Sequence, residues 1–181
     1  MSRSFFLLSI VFICIVFPSF SQDNAKISEI RKTMKTYPFS DPNPIPYPTI
    51  YYYPYFRFDG FAMESEDKEW KVVEMENQYI KVSIFPEIGG KIWGAFEKST
   101  GNEFLYYNSV VKFRDIAMRG AWTSGGIELN FGIIGHAPTS ATPVDYKIVN
   151  KEDGSVSCFI SATDLFTRTR WTTEVLSLIH I

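Results

Sequence analysis

The chain has 181 residues, of which 45% are hydrophobic and 17% aromatic, and its formal net charge is −2. This length and apolar content suffice for one ordinary domain with a buried core, and they argue against a disordered chain. The near-neutral charge offers no basic surface, so we expect no nucleic-acid partner. Tyr and Phe far outnumber Trp, which favours strands over helical bundles.

Residues 1–21 have the pattern of a signal peptide. Arg3 supplies a positive charge, residues 5–17 form an apolar run, and Ser19 and Ser21 place small residues at the −3 and −1 positions of a cleavage site. We therefore predict export to the periplasm, cell envelope or extracellular space, with no stable membrane span after cleavage. A retained membrane anchor is the alternative, but the apolar run is shorter than the roughly 20 residues of a spanning helix.

Residues 22–50 are predicted to precede the domain. Apolar residues at helix-like spacing, among them Ile30 and Met34, predict one short helix over residues 22–35 that acts as a lead-in. Prolines then alternate with tyrosine and other apolar residues over residues 37–54, so the backbone there is extended. We interpret this run as a strap lying across the domain. A ligand for a proline-recognition domain is the alternative.

Short strands are predicted from residue 51 onward. Alternating apolar and polar positions predict two hairpins, one from residues 70–75 and 79–85 and one from residues 91–96 and 103–107. Three more strands are predicted at residues 144–150, 155–162 and 168–176. The pattern is that of an all-β protein that begins as an antiparallel meander.

The stretch from Arg119 to His136 concentrates glycines and reactive polar side chains as no other part of the chain does. It lies within residues 108–142, where no clean strand or helix period is visible, so we expect a long functional loop. An indole that stacks on a pyranose face, surrounded by groups that bond hydroxyls, suits a sugar. The candidate site residues are Arg119, Trp122, Glu128, Asn130 and His136.

Two of these residues, Glu128 and His136, are the candidates for catalysis. Glu128 lies between Ile127 and Leu129, where partial burial would raise its pKa towards a value useful for an acid or a base. The alternative is a structural carboxylate that pairs with Arg119 or caps backbone amides. For His136, the alternative is a buried histidine whose hydrogen bonds are satisfied.

The other three residues are candidates for substrate binding. Arg119 and Asn130 would hydrogen-bond sugar hydroxyls, and Trp122 would stack on the ring, with packing in the core as its alternative. A glycosidase also needs a second carboxylate about 5–10 Å from the first. Three acidic residues are candidates for it, and none is compelling: Glu87, Asp115 and Asp145.

We expect neither a cofactor nor a metal. The glycines match no dinucleotide or Walker pattern, and no helix follows them, which argues against nucleotide binding. The two histidines, His136 and His180, are far apart in sequence, so no zinc spacing is present. Only Cys158 remains after signal cleavage, so no intrachain disulfide is expected.

Two runs of sequence, Tyr79 to Ala95 with Pro86-Glu87-Ile88-Gly89-Gly90 inside it and Arg119 to His136, resemble the DUF5107 family of exported bacterial proteins. The resemblance covers about residues 51–176. It implies an antiparallel β-sandwich of the galactose mutarotase-like supersandwich type, and often tetratricopeptide repeats further along the chain. In that group, epimerases use a histidine acid, to which His136 corresponds by position, and a later glutamate base that would fall beyond Ile181.

The last residues of the chain lack a turn, a cap or a polar tail, so we predict a gene truncated near Leu176 and a sandwich that is incomplete at its C-terminus. The domain is therefore predicted as the N-terminal part of the sandwich, residues 51–181. We predict an exported carbohydrate-active protein that binds a sugar or glycan and, at full length, hydrolyses or epimerises it. The alternative is a non-catalytic carbohydrate- or protein-binding module of an envelope protein with downstream repeats.

Overall fold

The computed structural model describes residues 25–38, 62–115, 121–131, 138–164 and 167–178. These residues contain ten strands and one 3₁₀ turn, Pro138–Ala141, and they contain no α-helix. The strands are β1 (Lys26–Tyr37), β2 (Glu66–Glu76), β3 (Ile80–Phe85), β4 (Lys91–Glu97), β5 (Asn102–Glu103), β6 (Val110–Asp115), β7 (Ala121–Thr123), β8 (Asp145–Asn150), β9 (Val156–Thr163) and β10 (Arg170–Ser177). No helix within the described ranges is long and apolar enough to cross a membrane.

The strands form two sheets. The larger has seven strands in the order β5-β4-β3-β2-β1-β6-β7, and the smaller has three in the order β10-β9-β8. Neighbouring strands are antiparallel, except that β1 and β6 run parallel. The prediction of an all-β sandwich is confirmed. The predicted signal peptide and most of the predicted strap lie outside the described residues.

The predicted hairpins are present. Strands β2 and β3 pair from Val73 opposite Ile84 to Glu76 opposite Lys81, and the Asn77 side-chain oxygen closes their turn by accepting backbone N–H groups at 2.8 and 2.9 Å. Strands β4 and β5 form the second hairpin. The three strands predicted near the C-terminus are β8, β9 and β10. Local alternation and turn residues are therefore reliable indicators in these segments.

The helix predicted over residues 22–35 is wrong, because residues 26–37 form the strand β1. Met34 packs into one apolar cluster and Ile27 packs against another, so the strand has apolar contacts on both faces. A strand of this kind lacks the simple alternation of a half-buried one, and its apolar residues matched a helical spacing by coincidence. Strand β1 lies between β2 and β6, so this segment is part of the sheet and not a lead-in.

Two apolar clusters form the core, one on each face of the larger sheet. Strand β2 supplies both, because Val72 and Val73 point to opposite faces. The inter-sheet cluster lies between the two sheets, and its buried members are Ala25, Val73, Met75, Ile84, Val156, Cys158, Ile160 and Trp171. The inner cluster lies on the other face, and its buried members are Met34, Trp70, Val72, Phe85, Ile88, Trp93, Val111, Phe113 and Ala141.

The larger sheet curls around the inner cluster, since Trp93 of β4 and Phe113 of β6 belong to the same cluster although three strands separate them. The curl brings the residues after β7 back to β4. There, the N–H groups of Ile127 and Ile92 each donate to the other's carbonyl, at 2.8 and 3.2 Å. The sheet therefore closes on itself through this pair of hydrogen bonds.

The prediction of a long loop over residues 108–142 is wrong in part. They include strands β6 and β7 and the 3₁₀ turn Pro138–Ala141. Strand β7 has only three residues, which is too short to produce a period in the sequence. The parallel pairing of β6 with β1 joins segments that are distant in the chain, so it leaves no local signal.

Candidate functional site

Two of the predicted site residues lie in direct contact. Trp122 is the middle residue of β7, and its indole Nε1–H donates a hydrogen bond to Oε2 of Glu128 at 3.1 Å. Both side chains are half-buried, whereas Asn130 is exposed. Arg119 and His136 lie outside the described residues, so their membership of the site stays a prediction. The structure thus brings together one predicted stacking residue and one predicted acid.

The Gly125-Gly126 pair reverses the chain between Trp122 and Glu128. Both glycines have positive φ angles, 106° and 63°, which residues with a side chain rarely adopt. The Gly126 N–H donates to the carbonyl of Tyr106 at 3.2 Å. This turn allows the residues after β7 to reach β4 and places Glu128 beside the indole.

A lysine that the sequence analysis did not select lies next to this pair. Lys91 begins β4 and is only 1% exposed. Its Nζ donates to the carbonyl oxygen of Thr123 and to Thr123 Oγ1, the latter at 3.1 Å. Nζ also lies 5.7 Å from the centroid of the Trp122 ring and 6.0 Å from that of Trp93. Lys91 therefore joins the first residue of β4 to the last residue of β7.

A sequence signal for Lys91 was available. It occupies an inward position, opposite the buried Phe85 in the β3/β4 register and two residues before the buried Trp93. A lysine at an inward position of a predicted strand is unusual, because lysine is almost never fully buried without a partner. Its neighbours Thr123 and Trp122 are about thirty residues away in the chain, so no short sequence motif contains Lys91 together with them.

The electrostatics of the site connect Lys91 with Glu128. Burial lowers the pKa of the Lys91 ammonium group, because the charged form loses solvation, and the negative charge of Glu128 opposes this effect by raising the pKa. The two side chains therefore attract each other as opposite charges. Burying a charged amine costs free energy that this attraction recovers only in part.

The burial of Lys91 makes the free energy of unfolding depend on pH in the alkaline range. The folded-state pKa lies below the ordinary value of 10.5, so the unfolded chain binds this proton more tightly. We therefore expect the unfolding free energy of the wild type, relative to Lys91→Met, to rise as pH increases from the folded-state pKa towards 10.5. The slope is at most about 1.4 kcal/mol per pH unit for one proton.

Urea denaturation of both proteins between about pH 7 and 10.5 measures this difference in unfolding free energy. The contributions of titratable groups that the two proteins share cancel in the difference. Lys147→Met is the matched control, because Lys147 is an exposed residue of β8. Its difference from the wild type should stay constant across the series. A constant difference for Lys91→Met as well would contradict the burial of a charged amine at this position.

Two of the three candidates for a second carboxylate have partners of their own. Glu87 accepts the backbone N–H of Lys71 at 2.6 Å, and Asp145 pairs with Arg170 at 2.9 Å. Asp115 ends β6, opposite Ala121 of β7. Among the described residues, no three His, Cys, Asp or Glu side chains gather as metal ligands would.

The comparisons with known proteins agree with part of the predicted resemblance. The family model described as "Domain of unknown function (DUF5107)" matches residues 48–178. A crystal structure of a TPR-domain containing protein from Parabacteroides distasonis is similar to this chain, with a TM-score of 0.68 and 27% sequence identity. The match covers 76% of this chain and 24% of the other, so this chain spans about a quarter of that protein's length.

Proposed function

The chain belongs to the DUF5107 family of domains of unknown function, and we propose that it is an exported carbohydrate-binding domain whose ligand contacts Trp122, Glu128 and Asn130. The observation that carries the proposal is the 3.1 Å hydrogen bond from the Trp122 indole to the Glu128 carboxylate. It joins an aromatic ring and a hydrogen-bond acceptor in one half-buried unit, which is the combination that a sugar ring requires.

The chemistry of the three side chains supports a sugar as the ligand. An indole offers an apolar face of the size of a pyranose ring, and its hydrogen bond to Glu128 lowers the entropy cost of holding that ring in place. A carboxylate has about four acceptor positions, so it can accept a hydroxyl in addition to the indole N–H. The exposed Asn130 amide can both donate to and accept from hydroxyl groups.

We propose binding and not turnover as the activity of this chain. Glycoside hydrolysis requires two carboxyl groups about 5–10 Å apart. Two of the three candidates for the second carboxyl group have partners of their own, since Glu87 accepts the backbone N–H of Lys71 and Asp145 pairs with Arg170. Glu128 in this proposal accepts hydroxyl groups and orients the indole.

Two finer parts of the proposal rest on the sequence. Export is supported by the charged, apolar and small-residue segments within residues 1–21. A galactose mutarotase-like sandwich is supported by the resemblance of residues 79–95.

Intrinsic fluorescence provides the test, because Trp122 is half-buried whereas the other three tryptophans are at most 7% exposed. We expect glucose, galactose, N-acetylglucosamine or one of their soluble oligosaccharides to change the emission in a saturable manner. Trp122→Ala should weaken that binding at least about tenfold in isothermal titration, since a lost stacking contact costs about 1.4 kcal/mol or more.

Tyr79→Ala is the control, because it removes an aromatic side chain that is 53% exposed in the turn between β2 and β3. Its affinity for the same sugar should equal that of the wild type. Equal affinities of Trp122→Ala and the wild type would overturn the assignment of the site. The absence of binding to a broad oligosaccharide panel would overturn the carbohydrate function itself.

A second candidate function is a non-catalytic module that packs against helical repeats of a longer envelope protein. It is favoured by the similarity to a TPR-domain containing protein of which this chain matches 24%. Size-exclusion chromatography of the chain with a separately produced C-terminal segment of its full-length protein would test it. Coelution, together with failure of every sugar to bind, would favour this module over the carbohydrate proposal.

A further inference from the structure

Lys91 connects the two ends of the curled sheet at the candidate site. Its neighbour Ile92 exchanges backbone hydrogen bonds with Ile127, and its own Nζ donates to both oxygens of Thr123, which is completely buried. The lysine therefore lies where β4, β7 and the segment after β7 meet. A displacement of Lys91 would be transmitted to the residues on both sides of the Gly125-Gly126 turn.

Among the residues that the structure describes, the ammonium group of Lys91 has few hydrogen-bond acceptors. Its described hydrogen bonds go to Thr123 alone, although an ammonium group has three N–H donors. Nζ lies 5.7 Å from the Trp122 ring centroid, within the range in which a cation is attracted by an aromatic ring. Its positive charge also attracts the negatively charged carboxylate of Glu128. Lys91 thus acts on both members of the hydrogen-bonded pair.

A lysine at a 1% exposed position carries a cost of burying its charge that an apolar side chain of similar length would avoid. Thr123 anchors the ammonium group at the end of β7, directly after Trp122. Glu128 supplies the negative charge on the other side of the turn. The residue is well placed to keep the carboxylate and the indole together.

We propose that Lys91 is a positioning residue of the Trp122–Glu128 site, which anchors Thr123 and supplies the positive charge that holds Glu128 against the indole N–H. Its effect on sugar affinity rests on the proposed carbohydrate function. Its effect on the indole hydrogen bond does not, and that bond can be observed without any ligand.

Hydrogen exchange of the tryptophan indole N–H groups, followed by NMR of the whole chain, tests the positioning role. The Trp122 signal is identified by its loss in Trp122→Phe. The indole N–H of Trp70 is the internal reference, because it donates to Thr36 Oγ1 at 2.9 Å, a hydrogen bond in which neither Lys91 nor Thr123 takes part. We expect Lys91→Met to accelerate exchange of the Trp122 N–H about tenfold while the Trp70 N–H keeps its rate.

Further variants test whether the charge of Lys91 is the cause and provide a control. Lys91→Arg retains the positive charge and should keep the Trp122 exchange rate within about twofold of the wild type. Lys147→Met removes an exposed lysine and should leave both indole rates unchanged. If Lys91→Met fails to fold, Thr123→Val replaces it, because it deletes the hydroxyl acceptor at nearly constant volume and should accelerate Trp122 exchange alone.

The outcomes are distinct. An unchanged Trp122 rate in Lys91→Met, or equal acceleration of the Trp70 and Trp122 signals, would overturn the positioning role. Equal acceleration by Lys91→Met and Lys91→Arg would show that the charge is not the cause and would also overturn it. A selective change at Trp122 combined with no sugar binding by the wild type would support the role of Lys91 and reject the carbohydrate function. A selective change with about tenfold weaker sugar binding would support both.

Discussion

Replacing Gly126 with alanine is expected to lower the free energy of unfolding by at least about 3 kcal/mol. The backbone of Gly126 has a φ of 63°, which costs a residue with a side chain about 1–2 kcal/mol. An added Cβ would also lie 2.1 Å from the carbonyl oxygen of Ile92 and 2.8 Å from Cα of Trp93. These are backbone atoms of β4, so they cannot move aside without disturbing the hydrogen bonds that close the curled sheet.

Gly101→Ala is the matched control for this prediction. Gly101 has a similar φ of 71°, but no atom lies within 4 Å of a Cβ added there. Gly101→Ala should therefore lower the free energy of unfolding only by the cost of a positive φ for a residue with a side chain, about 1–2 kcal/mol. Urea denaturation of the two variants measures the difference. If Gly126→Ala loses no more than Gly101→Ala, then the close approach of the turn to β4 does not constrain this position.

Replacing Trp93 with alanine is expected to cost about 3–5 kcal/mol. Trp93 is completely buried in the inner cluster, its ring centroid lies 4.9 Å from that of Phe85, and its Nε1–H donates to the carbonyl of Asn108 at 2.8 Å. Trp93→Phe should cost less, about 1–3 kcal/mol, because most of the packing remains while the Asn108 carbonyl loses its donor.

The control for Trp93 is Phe104→Ala, since Phe104 is 57% exposed. That substitution should change stability by no more than about 0.5 kcal/mol. Chemical denaturation with the same denaturant allows the three variants to be compared directly. A loss in Trp93→Ala as small as that in Phe104→Ala would mean that the inner cluster does not contribute the packing energy expected of a core.

The sequence predicted those parts of the fold whose interactions are local. The β2/β3 hairpin was recognisable because its strands alternate and Asn77 closes the turn within three residues. Strand β1 was not, because both of its faces contact apolar residues and its parallel partner β6 lies more than seventy residues further along the chain. Long-range pairing of this kind depends on the whole sheet, so no window of sequence contains it.

The candidate site shows the same division. Trp122 and Glu128 are six residues apart, so both lie within the stretch from Arg119 to His136 that the sequence marks out as a candidate site. Lys91 reaches them only because the sheet curls, so its relation to the site required the three-dimensional structure. Arg119 and His136 remain predictions as substrate-binding and catalytic residues.

The position of β1 decides where a shortened version of this chain can begin without losing part of the larger sheet. The recurring family sequence begins at residue 48, but β1 ends at Tyr37 and pairs with β2 from Lys26 opposite Glu76 to Thr36 opposite Glu66. A fragment cut at the family boundary would lack a strand from the interior of its larger sheet. The facing edges of β2 and β6 would then expose unpaired backbone groups, which are templates for intermolecular strand pairing and aggregation. The unit that recurs in sequence is therefore smaller than the unit that folds.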